Sequence, residues 1–172
     1  AEDGRRDSST SRGLGDVDKR QDYGYEKLAY SLLLREEYPS WLYAVKKGAT
    51  TVWEHWDGIM EDGSFWSSDM NSYNHYAYGA VADWVYTVAA GIQTVEAAPG
   101  YKRIVIAPIP DARLDWLKAS VNTRRGLVSS EWRKEGDLWR YEITTPSETT
   151  VKVAGKEYLV SAGIHIFYGD IA

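Results

Sequence analysis

The chain has 172 residues, 44% hydrophobic and 26% charged, enough for one generous domain or two small ones and unlike a disordered polypeptide. Its formal net charge of −5, from 20 basic and 25 acidic residues, argues against a nucleic-acid partner, which calls for a basic patch. There is no cysteine, so neither disulfides nor a thiolate metal site can hold the fold, and no apolar run approaches the roughly 18–20 residues of a membrane span.

The aromatic content is lopsided, with 8 Trp and 13 Tyr against 2 Phe. Rings with a polar edge suit surfaces that are half apolar and half wet, sugar-binding surfaces among them, and they also serve as ordinary core.

Residues 1–22 carry charge, Ser and Gly without apolar periodicity and read as a flexible lead-in or expression remnant. They hold no apolar signal-peptide core, which leaves a soluble protein of unassigned compartment as the expectation. From Tyr23 the pattern turns helical. Tyr25, Leu28, Ala29, Leu32 and Leu33 fall on one helix face, and Pro39 ends the pattern. A second helix is predicted to start near Thr51. A third follows Asn74, with Ala77, Val81, Trp84, Val85, Val88 and Ile92 on one face and Gly91 in the last turn. Between them, residues 62–74 (DGSFWSSDMNSYN) form a loop of a length that is often functional.

After residues 97–103 the period changes from 3.6 to 2. Ile104–Ile106 is a short apolar run. Trp139, Tyr141 and Ile143 alternate with Leu138, Arg140 and Glu142, and Thr149, Val151 and Val153 alternate likewise, as do Ile164, Ile166 and Tyr168. Glu135-Gly136 and Ala154-Gly155 mark hairpin turns. Helices followed by strands, unmixed, predict an α+β chain in two units, the second a small antiparallel β-sandwich.

Among residues that carry chemistry, His55, His75 and His165 are scattered without metal-ligand spacing, so no metal or other cofactor is expected. His165, between Ile164 and Ile166, reads as a solvated surface residue. Neither a phosphate-binding loop nor a serine-nucleophile motif is present. Thr51-Val-Trp-Glu54 fits a capping box, in which Glu54 would only secure a helix start. Trp53 and Trp56 flank the same carboxylate, and Asp57, Asp62 and His75 lie nearby in sequence, an environment equally suited to a general base. His75, in the first turn of the third helix, would be a neutral imidazole able to meet a ligand hydroxyl, or a helix-start residue bonded to its own loop.

Four stretches in this order, Tyr38-Pro-Ser-Trp41, Gly48-Ala-Thr-Thr-Val-Trp-Glu-His-Trp-Asp-Gly58, Met70-Asn-Ser-Tyr-Asn-His-Tyr-Ala-Tyr-Gly79 and Ala98-Pro-Gly-Tyr-Lys-Arg103, resemble the C-terminal portion of bacterial α-L-rhamnosidases. The resemblance runs from about Tyr25 to Pro110 and more loosely through the β-region. It implies an inverting hydrolase of terminal α-L-rhamnosyl groups, acting on a rhamnose-containing glycoside. Residues 23–98 would be the last helices of a catalytic (α/α)6 barrel, and 99–172 the β-sandwich that follows. It implies Glu54 as general base, His75 as a sugar contact, and Trp53 and Trp56 as pocket lining. The family's general acid lies upstream, and nothing in residues 1–22 resembles that segment, so the chain is expected to carry the base without the acid. His55 stands where many relatives have Arg. Two further readings stay open: a non-catalytic carbohydrate-binding fragment, and one that associates with itself or with the missing barrel segment through exposed helix faces such as Tyr25–Leu33.

Overall fold

The computed structural model describes residues 25–171; the lead-in of residues 1–22 lies outside them. The chain is mixed helix and sheet, and it divides into two compact units that meet between Ala82 and Asp83. Among the described residues no helix is long and apolar enough to cross a membrane.

The first unit contains two short helices, α1 (Glu26–Leu33) and α2 (Trp41–Lys46). On α1 the buried positions are Ala29 and Tyr30, whereas Tyr25 and Leu28 of the expected face are 52% and 45% exposed. The inward face is thus rotated from the one the spacing predicts, because the bulky Tyr30 ring, only 1% exposed, takes the interior. Helix α2, which periodicity does not reveal, follows Tyr38-Pro39 directly. Ser40 caps it, its hydroxyl oxygen accepting from the Tyr43 N–H at 3.0 Å. Residues 47–76 are irregular apart from a bridge between Ile59 and Phe65. Ring contacts do much of the packing there. Trp56 stacks on Tyr78 at 3.8 Å and meets Trp41 edge-on at 5.1 Å, while the Trp41 indole N–H donates to the Tyr78 carbonyl at 2.9 Å.

The expected third helix forms as a composite: a 3-10 turn (Ala77–Ala80), one α turn, α3 (Val81–Trp84), and a π turn (Val85–Ala89). Trp84 and Val88 are buried as the face predicts. Ile92 is not helical. Gly91, at φ 70°, turns the chain out of the helix into strand β1 (Ile92–Thr94). A side chain could not follow that path, since a Cβ on Gly91 would lie 2.1 Å from the Ala107 carbonyl carbon.

The second unit is a sandwich. β1, β2 (Ile104–Ile106), β6 (Thr149–Val153) and β7 (Lys156–Val160) form one sheet, in the order β1-β2-β6-β7. β3 (Trp116–Thr123), β4 (Gly126–Glu135), β5 (Leu138–Thr145) and β8 (Gly163–Asp170) form the other, in the order β3-β4-β5-β8. Only the second sheet is wholly antiparallel. β2 and β6 run parallel, because the chain leaves β2, builds three strands of the opposite sheet and returns in the same direction. Ile104, Ile106, Val151 and Val153 pack against Val128, Trp132, Trp139, Tyr141 and Ile143, all buried. Each aliphatic member contributes about 1.5–3 kcal/mol relative to exposure. The buried Trp132 indole N–H donates to the Ala89 carbonyl at 2.7 Å, satisfying an acceptor that the helix end leaves without an internal partner.

The hairpin at Ala154-Gly155 forms as expected, both residues at positive φ, 51° and 69°. The preceding one turns through Gly136-Asp137, one residue later than expected. Strand β8 reverses its expected polarity. Pairing with β5 sets His165 opposite Ile143 and Phe167 opposite Tyr141, on the inward-facing side, and turns Ile164, Ile166 and Tyr168 outward. His165 is therefore not a freely solvated residue. Its Nε2–H donates to the Ser161 carbonyl at 2.8 Å, while Phe167 packs on Tyr158 with ring centroids 4.8 Å apart.

Candidate active site

No helix starts at Thr51. The two groups that would close a capping box are engaged elsewhere. The Thr51 hydroxyl donates to the Tyr73 carbonyl, and Glu54 Oε2 accepts from the Ser72 N–H at 3.1 Å. The Glu54 N–H in turn donates to the Ser72 carbonyl at 2.8 Å, and the His75 N–H to the Val52 carbonyl at 2.8 Å. Residues 51–54 and 72–75 thus lie side by side as two irregular strips, joined by the Glu54–Ser72 and His75–Val52 backbone bonds. This pairing brings Glu54 and His75, 21 positions apart, onto adjoining strips of one small scaffold.

Glu54 is half-buried. Ser72 occupies one carboxylate oxygen, and Oε1 has no hydrogen-bond partner among the described residues. His75 Nδ1 accepts from the Ala77 N–H at 3.3 Å, so it caps the 3-10 turn from two residues ahead and does not sit inside a helix. In a neutral imidazole that bond puts the proton on Nε2, leaving Nε2–H as a donor.

Trp53 and Trp56 are both held by other rings. Trp53 is 6% exposed and meets Tyr73 edge-on at 5.4 Å. Gly58 sits beneath this pair, where an added Cβ would be 3.2 Å from each ring. Tyr73 donates to the Gly58 carbonyl at 2.8 Å, and the Asn71 amide donates to the same carbonyl at 3.0 Å. Trp56 is half-buried between Tyr78 and Trp41. His55 stacks on Trp66 at 3.8 Å.

The neighbouring acids have other work. Asp62 accepts from the side chain and backbone of Ser64, at 2.6 and 2.9 Å, and these bonds hold its carboxyl below the usual range. Asp57 lines a cavity of about 420 Å³ with Glu36, Glu37, Glu61 and Tyr43, to which neither Glu54 nor His75 contributes. Burial, then the charges of Glu61 and Asp57, push the Tyr43 phenol up. Among the described residues no three His, Asp or Glu side chains come together as a metal site.

Ser72, Asn71 and Tyr73 are the residues that sequence reasoning did not single out. They stand in the polar 62–74 loop and in the 70–79 stretch of the family resemblance, but a backbone amide donating to a carboxylate 18 residues away gives no motif that would assign them a role.

Comparison with known proteins gives a consistent result. Residues 18–89 match the family model described as the bacterial α-L-rhamnosidase six-hairpin glycosidase domain, and residues 91–161 match the bacterial α-L-rhamnosidase C-terminal domain. An α-L-rhamnosidase of Formosa agariphila is 44% identical over 126 residues, which are 73% of this chain and 13% of that protein. The structure of the Streptomyces avermitilis α-L-rhamnosidase complexed with L-rhamnose superposes with a TM-score of 0.76 at 32% identity, over 86% of this chain and 16% of that one. The Aspergillus terreus α-L-rhamnosidase structure superposes with a TM-score of 0.80 at 28% identity, over 94% of this chain and 21% of that one. The chain thus spans about 13% of the length of the Formosa relative it matches.

Proposed function

We propose, on the premise that this chain belongs to the bacterial α-L-rhamnosidase family, that it supplies the general base and a sugar contact to an enzyme hydrolysing terminal α-L-rhamnosyl groups with inversion. Residues 23–98 are assigned to the closing helices of an (α/α)6 barrel and 99–172 to the β-sandwich beyond it. The family matches at 18–89 and 91–161 support that division.

Glu54 is the base. It takes the proton of a water whose oxygen attacks the anomeric carbon, while the glycosidic C–O bond breaks and the leaving oxygen is protonated by a second carboxylic acid. That acid comes from a barrel segment outside these residues, about 6.5–9.5 Å from Glu54 so that water fits between them. The observation that carries the reading is the division of the Glu54 carboxylate. Oε2 is tied to the Ser72 N–H, which fixes the side chain, and Oε1 is left to accept from water. His75 donates from Nε2–H to a sugar hydroxyl, its other nitrogen being held by Ala77. Trp56 and Trp53 line the sugar pocket, Trp56 with the more accessible ring and Trp53 with its ring mostly buried against Tyr73.

The test is hydrolysis of an aryl α-L-rhamnoside by this chain combined with a separately produced upstream barrel segment of a close relative, monitored by NMR for the anomer first released. Turnover in the mixture, with the inverted anomer appearing first and activity lost in Glu54→Gln, is the expected result. A folded, associated mixture without turnover, or with turnover indifferent to Glu54→Gln, would overturn it.

A further inference from the structure

The outward face of the β3-β4-β5-β8 sheet carries a row of side chains in cross-strand register: Trp116, Arg133, Arg140 and Tyr168, one from each strand. The row begins and ends in an exposed ring, Trp116 at 65% and Tyr168 at 53% exposure. Three strand spacings separate them, about 14 Å, the length of a few sugar units. At its β3 end the face hollows into a cavity of about 390 Å³, walled by Trp116 and by Asp115, Lys118, Glu131, Arg133 and Lys134.

The charges along this row are mostly paired, and the face carries no positive surplus. Glu131, with only 13% of its side chain exposed, is held by Lys118 at 3.0 Å and Arg133 at 2.6 Å. Lys134 pairs with Asp115 at 2.9 Å, and Arg140 pairs with Glu142 at 2.7 Å and lies 3.8 Å from Glu135. Four cations thus meet four carboxylates. The arrangement fixes many hydrogen-bond donors and acceptors in place without the positive surplus that would draw an anion. An exposed indole beside such groups offers an apolar plane for the C–H face of a pyranose, and the paired side chains offer partners for its hydroxyls. A nucleic acid or acidic polysaccharide would need the surplus of positive charge that this face lacks.

We propose that this face is a saccharide-binding site for a neutral glycan chain, with Trp116 as the main stacking platform and Tyr168 as a second. The site rests on the sandwich alone and requires neither Glu54 nor an assembled barrel. Its natural role would be to hold the glycan from which rhamnosyl groups are removed.

Affinity electrophoresis of the 172-residue chain tests this, in gels containing in turn a neutral rhamnan, galactan, arabinan or xyloglucan, and polygalacturonate as the acidic arm. The expected result is retardation by at least one neutral polymer and none by polygalacturonate. Trp116→Ala should weaken it by about tenfold or more, the usual loss at an aromatic hot spot. Tyr168→Ala should weaken it less. Trp116 is mostly exposed, so its variant keeps the sandwich, and far-UV circular dichroism checks that. Failure of every neutral polymer to retard the chain would overturn the proposal. So would retardation that survives Trp116→Ala, retardation by polygalacturonate alone, or a concentration-dependent dimer that Trp116→Ala abolishes.

Discussion

Glu54 and Ser72 are joined by two hydrogen bonds, from the Glu54 N–H to the Ser72 carbonyl at 2.8 Å and from the Ser72 N–H to Glu54 Oε2 at 3.1 Å. The side-chain bond completes a ring with the backbone bond, so the carboxylate direction is set by main chain and not by another mobile side chain. A group held this way loses little freedom when a water is placed against its second oxygen.

Replacing Glu54 by Gln keeps that ring, because the amide oxygen still accepts from the Ser72 N–H, but it removes the basic oxygen. In the assembled enzyme, aryl-rhamnoside turnover should fall by at least about 100-fold with the thermal midpoint unchanged, on the usual worth of a general base. Near-normal turnover would reduce Glu54 to a structural link.

At His75 two roles are separable by chemistry. His75→Asn places an oxygen where Nδ1 now accepts from Ala77, so the turn stays capped, but nothing replaces Nε2–H. KM and the inhibition constant for free L-rhamnose should rise by about 2–10-fold, the worth of one neutral hydrogen bond, with kcat changed less. His75→Ala should do the same and lower stability as well. Rhamnose inhibition unchanged in both variants would remove His75 from the site.

Gly91 is the strictest position in the fold. Its φ of 70° and the 2.1 Å approach of a Cβ to the Ala107 carbonyl carbon act together, and the obstacle is backbone. Gly91→Ala should destabilise the sandwich by about 3 kcal/mol or more, read from the urea midpoint by tryptophan fluorescence. A loss below about 1 kcal/mol would show that the turn takes another path.

Ala154 and Gly169 form a pair that can be tested as a cycle. A Cβ on Gly169 would lie 2.4 Å from Ala154 Cβ, with its next neighbours at the ordinary distances of 3.4 and 3.6 Å. Gly169→Ala alone should cost about 1–3 kcal/mol. Adding Ala154→Gly removes the clashing atom and also the strain of alanine at φ 51°, so the double variant should regain most of the loss. Additive effects in thermal melts would contradict the contact.

Much of the β-unit was legible in the sequence because a strand's period of 2 needs only its own residues. Trp139, Tyr141 and Ile143 alternate with polar neighbours and are buried, as are Thr149, Val151 and Val153. The exception, β8, shows the limit. Its more apolar face by pattern is Ile164-Ile166-Tyr168, but the register with β5 turns the face of His165 and Phe167 inward, which no local pattern records. The helix after Asn74 was legible for the same reason as the strands, but its 3-10 and π turns were not, being the outcome of fitting Trp84, Val88 and Gly91 to their surroundings.

The candidate site divides along the same line. The residue types at Glu54 and His75, the flanking tryptophans and the long polar loop are properties of the sequence, and the order of the four motifs was enough to point to the family. Whether Glu54 capped a helix or faced a ligand could not be decided there, because Thr-x-x-Glu satisfies both. Tertiary structure excludes the cap. The Ser72 amide competes for the carboxylate and the Tyr73 carbonyl for the Thr51 hydroxyl, and both partners lie about 20 residues on in the chain. Hydrogen bonds to a distant backbone depend on where the chain folds back. That is why the sequence alone determined which groups are available for chemistry, and only the fold determined which of their atoms are already taken.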